Sequence, residues 1–268
     1  MIQLDKTTRE QQLWIPRSSK GSGDVRKSYK DGYKDGFDEG LKSSKIKLYD
    51  GMKLGRSNIY NLDVFDFSAV RQGAYLFKNS YFYKDYYDFT DLVNQMTDGC
   101  YDMFLFSYFY FEKKATVRIE FFDREKMKNA TKGFSNSTVH FYQKFETTSM
   151  DNMFANISSD ETHLYLNTSS CTSFNQIFNS IEGKYYISGL DMSNEKNTDE
   201  KVFYDGYFAN LTDMFLDETT VPRTTLERLM NAYRKDTNKY TKVTFHYGKE
   251  RWTWDADNNR WKITGYDE

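Results

Sequence analysis

The sequence predicts an α+β protein built on short parallel strands. Three observations support this fold class. From about residue 58 onward, segments that open with an alternating apolar strand and close on a phenylalanine recur along the chain. A polar, glycine-rich region precedes them, and a segment with helical spacing followed by two strand-like segments comes after them. Alternation of period two is typical of strands with one buried face, and a period of about 3.6 is typical of amphipathic helices.

The recurring segments define the predicted central domain, residues 46–218. The cleanest copies are residues 119–134, 139–154 and 164–178, and each passes through a polar turn before its closing ring. The rings of the last two copies, Phe154 and Phe178, lie 24 residues apart, and Phe134 lies 20 residues before Phe154. A period of roughly 20 to 29 residues is typical of leucine-rich-repeat solenoids. We therefore expect a leucine-rich-repeat-like solenoid with short parallel strands.

The alternation also assigns faces to the predicted strands. Eight positions in two aligned columns are expected to point into the core: Leu62, Ile119, Val139, Leu164, Val64, Phe121, Phe141 and Leu166. The positions between and after them are expected to face outward: Asp63, Glu120, His140, Tyr165, Phe65, Phe122, Tyr142 and Asn167. This outward set is more apolar than contact with solvent requires, so it is either covered or used for recognition. Because aromatic rings stack on sugars and anchor protein interfaces, the predicted binding residues are Phe65, Phe122, His140, Tyr142 and Tyr165.

Residues 1–45 are predicted to form an attachment and oligomerisation region. The polar arm carries one apolar spot, Leu13, Trp14 and Ile15, which either docks on another chain or stays mobile. Two rows with a spacing of four follow, an aromatic row and a glycine row: Tyr29, Tyr33, Phe37 and Gly32, Gly36, Gly40. Each glycine costs a helix about 1 kcal/mol relative to alanine, so a helix here needs close packing against another helix or a symmetry mate. The alternative is a flexible linker. A homotrimer is the expected assembly.

Residues 219–268 are predicted to cap the repeats. The segment 224–235 has apolar residues at helical spacing, namely Leu226, Leu229, Met230 and Tyr233. Two strand-like segments follow it. The end of a repeat array exposes core edges and needs a different terminal element, which a helix and a β-hairpin would supply. The DADNN segment at 255–259 lacks the glycine and the final acidic ligand of a calcium loop, so it is predicted to be the hairpin turn.

Composition argues against several classes of partner. The 37 Lys and Arg against 39 Asp and Glu give a net charge of -2, unlike a protein held mainly by nucleic-acid phosphates. No segment is apolar for long enough to span a membrane, and the N-terminus lacks the apolar stretch of a secretory signal. The two cysteines, Cys100 and Cys171, are too few for a disulfide framework and are expected to be buried.

The usual catalytic signatures are missing from the sequence. No zinc-protease, nucleophile-elbow, dinucleotide-binding or phosphate-loop motif occurs, and the three histidines have no spacing that suggests a catalytic or metal site. Paired carboxylates for glycoside hydrolysis are an alternative, because a repeat fold could bring Asp63 and Glu120 together across strands. We expect a protein without enzymatic activity, cofactor or metal.

Parts of the sequence resemble known families. Residues 65–77 (FDFSAVRQGAYLF), 145–154 (FETTSMDNMF) and 167–178 (NTSSCTSFNQIF) resemble the BspA-like leucine-rich repeats of bacterial surface proteins. The likeness covers about residues 58–218. LWIPR at 13–17, followed by GYKDGFDEG at 32–40, resembles the start of fibre-type virion proteins in phages of Bacteroides-like hosts, including crAss-like phages. That resemblance implies an arm and a glycine-rich helix that anchor to the particle while a repeat domain projects outward.

The predicted function is therefore that of a structural phage virion protein, a head or tail fibre or decoration subunit assembled in the host cytoplasm. Its repeat domain would bind a host-surface glycan or another virion protein. The missing secretory signal favours this hypothesis over the alternative, a BspA-like adhesin on a bacterial cell surface. A polysaccharide depolymerase is the third hypothesis. No nucleic-acid or membrane partner is expected.

Overall fold

The computed structural model describes residues 45–105, 107–109, 115–196, 201–203, 211–236 and 243–267. The predicted attachment residues lie outside these ranges: Leu13, Trp14, Ile15, Tyr29, Gly32, Tyr33, Gly36, Phe37 and Gly40.

The described residues form strands and short helices in alternation with turns. The strands are β1 (Ile46–Tyr49), β2 (Asn58–Ile59), β3 (Phe65–Ala69), β4 (Tyr81–Phe82), β5 (Tyr86–Asp88), β6 (Tyr108–Phe109), β7 (Ala115–Phe121), β8 (Ser137–Gln143), β9 (Ser158–Tyr165), β10 (Glu182–Ser188), β11 (Leu211–Leu216), β12 (Thr244–Tyr247), β13 (Glu250–Asp255) and β14 (Arg260–Tyr266). The helices are α1 (Thr90–Gln95), α2 (Arg124–Ala130) and α3 (Arg223–Asp236), with a 3-10 helix at Leu62–Val64.

One large sheet carries most of the structure. Its nine strands lie in the order β14-β13-β12-β11-β10-β9-β8-β7-β5. Pairing is parallel from β5 through β12 and antiparallel between β12, β13 and β14. Two small parallel sheets, β1-β3 and β2-β4-β6, contain the preceding part of the chain. From β7 to β14, strands that are neighbours in the large sheet are also consecutive in sequence.

The predicted fold class, an α+β leucine-rich-repeat-like solenoid, is wrong. The described residues are mostly β, are dominated by a nine-stranded mixed sheet and show no closed solenoid. The C-terminal hairpin does not cap the strands as a separate element, because β13 pairs with β12 and continues the same sheet in antiparallel sense. A sequence period reports that similar strands recur. It does not report how the segments between the strands are folded, or whether the repeats form a closed solenoid.

The predicted strand faces are confirmed within β7, β8 and β9 and wrong before them. Ile119, Phe121, Val139, Phe141 and Leu164 are fully buried. The register differs from the predicted columns by two residues, because Ile119 lies opposite Phe141, and Phe141 opposite Leu164. A slip of two residues leaves every side chain on its own face, so burial is unaffected.

Phe65 is the exception, because it was expected to face outward and is buried, with 6% of its surface exposed. The strand β3 starts at Phe65 and pairs with β1. Leu62 and Val64, predicted as strand residues, lie instead on the 3-10 helix, where the Asn61 side chain accepts a hydrogen bond from the Asp63 amide. The cap shifts the start of the strand and reverses the alternation at these positions.

The core beneath the sheet is rich in stacked rings. The closing phenylalanines Phe134, Phe154 and Phe178 are all buried, and the centroids of the last two lie 6.1 Å apart with planes 18° apart. Cys100 and Cys171 are buried as predicted. Burial raises the pKa of the Cys100 thiol to about 12 and that of Cys171 to about 11.

The last helix and the hairpin pack against the core and against each other. The residues at helical spacing in α3 are buried: Leu226, Leu229, Met230 and Tyr233. The Trp261 indole N–H on β14 donates to the Met230 carbonyl oxygen at 3.1 Å, which ties the hairpin to the helix. The turn between β13 and β14 is held by Asp255, whose carboxylate accepts from Asn258 and Lys262. No helix in the described ranges is long and apolar enough to cross a membrane.

Candidate functional site

A continuous stack of rings crosses the outer face of the large sheet. Its members come from five neighbouring strands, β8 to β12, and we call them the ring ladder: His140, His163, Tyr186, Phe215 and His246. The centroids of successive rings lie 4.3, 4.5, 4.5 and 4.0 Å apart, and their planes differ by 5° to 18°. Parallel pairing places each of these residues directly opposite the next, so the strand spacing of about 4.8 Å sets the stacking distance.

Charged groups lie at both ends of the ring ladder. In the strand register, Arg118 on β7 lies opposite His140, and Arg251 on β13 lies opposite His246. His246 is 8% exposed, and each of its ring nitrogens lies near a carboxylate. Nε2 is 3.1 Å from Asp213 Oδ1, and Nδ1 is 2.7 Å from Asp267 Oδ2. The ladder is thus fixed at its C-terminal end by hydrogen bonds as well as by stacking.

A shorter stack runs beside the ladder and ends at Tyr165. Tyr142 and Tyr165 stack with centroids 4.3 Å apart and planes 4° apart, and the Arg118 guanidinium lies 4.7 Å from the Tyr142 centroid. On its other side Tyr165 lies opposite Ser188 of β10, whose side chain is too short to cover a phenol ring. Tyr165 is 38% exposed. We call the side of the Tyr165 ring toward Ser188 the Tyr165 platform.

The polar groups around the rings carry both signs of charge. Arg118 forms an ion pair with Glu120, and Asp88 lies 3.8 Å from the same guanidinium. In the adjacent row of the sheet, Glu161 lies opposite Lys184, and Lys184 opposite Asp213. The described part of the outer face therefore combines ring edges and hydroxyls with charges of both signs.

The two stacked histidines near the N-terminal end of the ladder are held in their neutral form. Burial lowers the pKa of His163 to about 4, with His140 adding to the effect. Burial also lowers the pKa of His140, and Arg118 acts in the same direction. The buried His140 Nδ1 has no hydrogen-bond partner among the described residues. Protonation of this nitrogen would therefore create a buried positive charge whose N–H group has no acceptor there.

Four of the five predicted binding residues lie on the outer face or at its edge. Tyr142 and Tyr165 stack together, and His140 belongs to the ring ladder. Phe122 follows β7, is 56% exposed and makes no ring contact with a described residue. Phe65 lies in the core.

The carboxylates suggested for glycoside hydrolysis do not come together across neighbouring strands. Asp63 lies on the 3-10 helix that precedes β3. The strand β3 belongs to a different sheet from β7, which carries Glu120. The Glu120 carboxylate is engaged by Arg118 and, at 3.9 Å, by Lys144. Within the described ranges no group of three or more His, Cys, Asp or Glu side chains could hold a metal ion.

Sequence reasoning missed most of the ring ladder: His163, Tyr186, Phe215 and His246. A signal was present in the sequence. VHFY at 139–142 aligns with THLY at 162–165, and this alignment places His140 beside His163 and Tyr142 beside Tyr165. The predicted strand alignment matched Val139 with Leu164 instead, and it therefore placed His140 beside Tyr165.

Comparison of the chain with protein-family models, with curated proteins and with solved structures finds no match.

Proposed function

We propose that this chain is a glycan-binding protein without enzymatic activity, and that the Tyr165 platform is where the glycan stacks. The observation that carries the proposal is the geometry of Tyr165, which stacks on Tyr142 on one side, lies opposite the small residue Ser188 on the other, and is 38% exposed. An exposed ring face attracts the apolar C–H face of a pyranose in the same way that it attracts other rings.

The ring ladder supports this role by holding the platform rigid. Its inner rings have neighbours on both faces, so they offer a ligand only their edges. The His140 and Tyr165 centroids lie 6.2 Å apart with planes 13° apart, which links the two stacks. A surface whose side chains are already fixed loses little conformational entropy on binding.

The charges on the outer face favour a glycan over a protein partner and a neutral glycan over a polyanion. Protein interfaces are depleted of lysine and acidic residues, whereas Glu120, Glu161 and Lys184 lie among the rings. Because both signs alternate, the face suits a ligand rich in hydroxyl groups, which both donate and accept hydrogen bonds.

The setting that we propose is a phage particle, where the chain would serve as a fibre or decoration subunit that attaches to the host surface. The resemblance of residues 13–17 and 32–40 to fibre-type virion proteins supports this setting. Mass spectrometry of purified particles tests it. Peptides of this chain at a fixed ratio to the major capsid protein are expected, and their absence from the particles would contradict the setting.

Binding of the purified chain to an array of capsular and cell-wall polysaccharides from Bacteroides-like hosts tests the glycan proposal. The variant Tyr165→Ala removes the platform, and we expect it to weaken binding at least about tenfold. Tyr266→Ala is the matched control, because Tyr266 is 67% exposed on the last strand, β14. Equal binding by the wild type and Tyr165→Ala, or no binding to any polysaccharide, would contradict the proposal.

A further inference from the structure

A second concave site lies outside the large sheet, in the turns that precede β2 and β4. It is a cavity of about 300 Å³ lined by six residues: Lys53, Gly55, Arg56, Tyr75, Lys78 and Asn79. The two turns are joined by backbone hydrogen bonds from the Leu54 amide to the Leu76 carbonyl at 2.7 Å and from the Arg56 amide to the Asn79 carbonyl at 3.1 Å. The cavity therefore has a fixed backbone frame.

Three cations converge on this cavity without a carboxylate to balance them. Among the described residues, none of Lys53, Arg56 and Lys78 forms an ion pair. The two lysine ammonium groups lie 5.1 and 4.8 Å from the centroid of the Tyr75 ring. Two like charges drawn to one ring repel each other, and an anion between them would remove that repulsion.

Three of the lining residues share a left-handed backbone conformation. Arg56, Tyr75 and Asn79 have φ values of 61°, 59° and 58°, in the left-handed region. Asparagine is common there, whereas a long cation and a bulky ring are not. At Gly55 an added Cβ would come within 2.9 Å of the Lys78 carbonyl oxygen, so the two turns are in close contact. The left-handed conformation also recurs in later turns of the chain, at Asn152, Asn156, Gln176 and Ser180.

We propose that this cavity binds a small ligand that carries an oxyanion, namely a phosphate, sulfate or carboxylate. Arg56 can meet such a group with two parallel N–H donors, and the lysines supply point charges. The Asn79 side chain makes no hydrogen bond with a described residue and can donate its amide N–H groups. A volume of about 300 Å³ exceeds that of a lone oxyanion and fits one monosaccharide. The Tyr75 ring provides an apolar wall for the rest of the ligand.

Isothermal titration at low ionic strength tests this proposal with four probes: glucose 6-phosphate, glucuronate, inorganic phosphate and glucose. We expect the charged probes to bind with a Kd of about 1 mM or tighter and glucose not to bind. Tighter binding of glucose 6-phosphate than of inorganic phosphate would identify a sugar-borne oxyanion as the ligand. Equal binding would identify the free anion.

The variant Lys53→Gln/Lys78→Gln should lower the affinity for the charged probes at least about tenfold. Lys249→Gln/Arg260→Gln is the matched control, because it removes the same charge from exposed positions at the hairpin end of the large sheet. Equal losses in both variants would show general charge attraction and would overturn the proposal, as would no binding of any anion by the wild type. Glycan binding at the Tyr165 platform does not depend on the loss of Lys53 and Lys78, because both residues lie outside the large sheet.

Discussion

His140 and His163 stack face to face, with ring centroids 4.3 Å apart and planes 15° apart. They lie directly opposite each other in the parallel pair β8-β9, so the backbone register alone brings two titratable rings into contact. Protonation of either ring places a positive charge against its neighbour, and in the case of His140 also near Arg118. We therefore expect the outer face to be sensitive to acid.

Stability is therefore expected to fall as the pH drops from about 6.5 to about 4. His163 has a folded pKa of about 4, below the ordinary value of 6.5, so the unfolded chain binds a proton in this window that the folded chain does not. His140 acts in the same direction, and Glu161 opposes both shifts. The expected loss is on the order of 2 kcal/mol. Urea unfolding at several pH values measures it, and His140→Phe/His163→Phe should show a shallower slope. An identical slope would exclude the histidine pair as the cause.

The middle of the ring ladder is expected to contribute to stability. Phe215 stacks on Tyr186 at 4.5 Å and on His246 at 4.0 Å, so Phe215→Leu loses two ring contacts. We expect the free energy of unfolding to fall by about 1 to 3 kcal/mol. Phe122→Leu is the matched control, since that ring is 56% exposed and makes no ring contact with a described residue. Denaturant midpoints measure both variants. Equal effects would mean that stacking along the ladder adds nothing to stability.

Gly189 is expected to tolerate no side chain. Its φ is +72°, and an added Cβ would overlap the Leu166 carbonyl oxygen. Gly51 also has a positive φ, +79°, but no atom lies within 4 Å of the position of its Cβ. Gly51→Ala should therefore cost only about 1 to 2 kcal/mol for the left-handed backbone. Gly189→Ala should cost clearly more, because the neighbouring backbone must also move. Thermal unfolding of the two variants compares them, and similar melting temperatures would disprove the close approach.

Both thiols are expected to be inert in the folded protein. Burial raises the pKa of Cys100 to about 12 and that of Cys171 to about 11, so almost no thiolate exists at pH 8. A chromogenic disulfide reagent should react with neither thiol under native conditions and with both in denaturant. Rapid reaction of one equivalent in the native protein would show that one of these cysteines is exposed.

The faces of the long strands could be predicted from the sequence because burial enforces alternation. Val117, Ile119 and Phe121 on β7 are all fully buried, and the polar residues between them are not. The pairing register could not be predicted in the same way. Shifting a strand by two residues keeps its apolar side chains inside, so alternation cannot distinguish His163 from Tyr165 as the neighbour of His140.

The overall architecture and the oxyanion cavity were beyond the reach of sequence patterns for a different reason. Nothing local in the hairpin β13-β14 indicates that it continues the large sheet, because that depends on the free edge that β12 presents. Lys53 and Arg56 lie in one turn and Lys78 lies in another, more than 20 positions later in the sequence. Ordinary surface turns contain the same residue types. Their convergence depends on the backbone hydrogen bonds between those turns.

The binding isotherm of Ser188→Tyr for a polysaccharide found on the array tests the glycan-binding proposal most directly. A ring at position 188 would extend the stack of Tyr142 and Tyr165 and cover the Tyr165 platform. We predict that stability stays the same or rises by about 1 kcal/mol, since a cross-strand ring pair is gained. Binding should weaken at least about tenfold in the same sample. Wild-type affinity in this folded variant would show that the glycan does not stack on the Tyr165 platform.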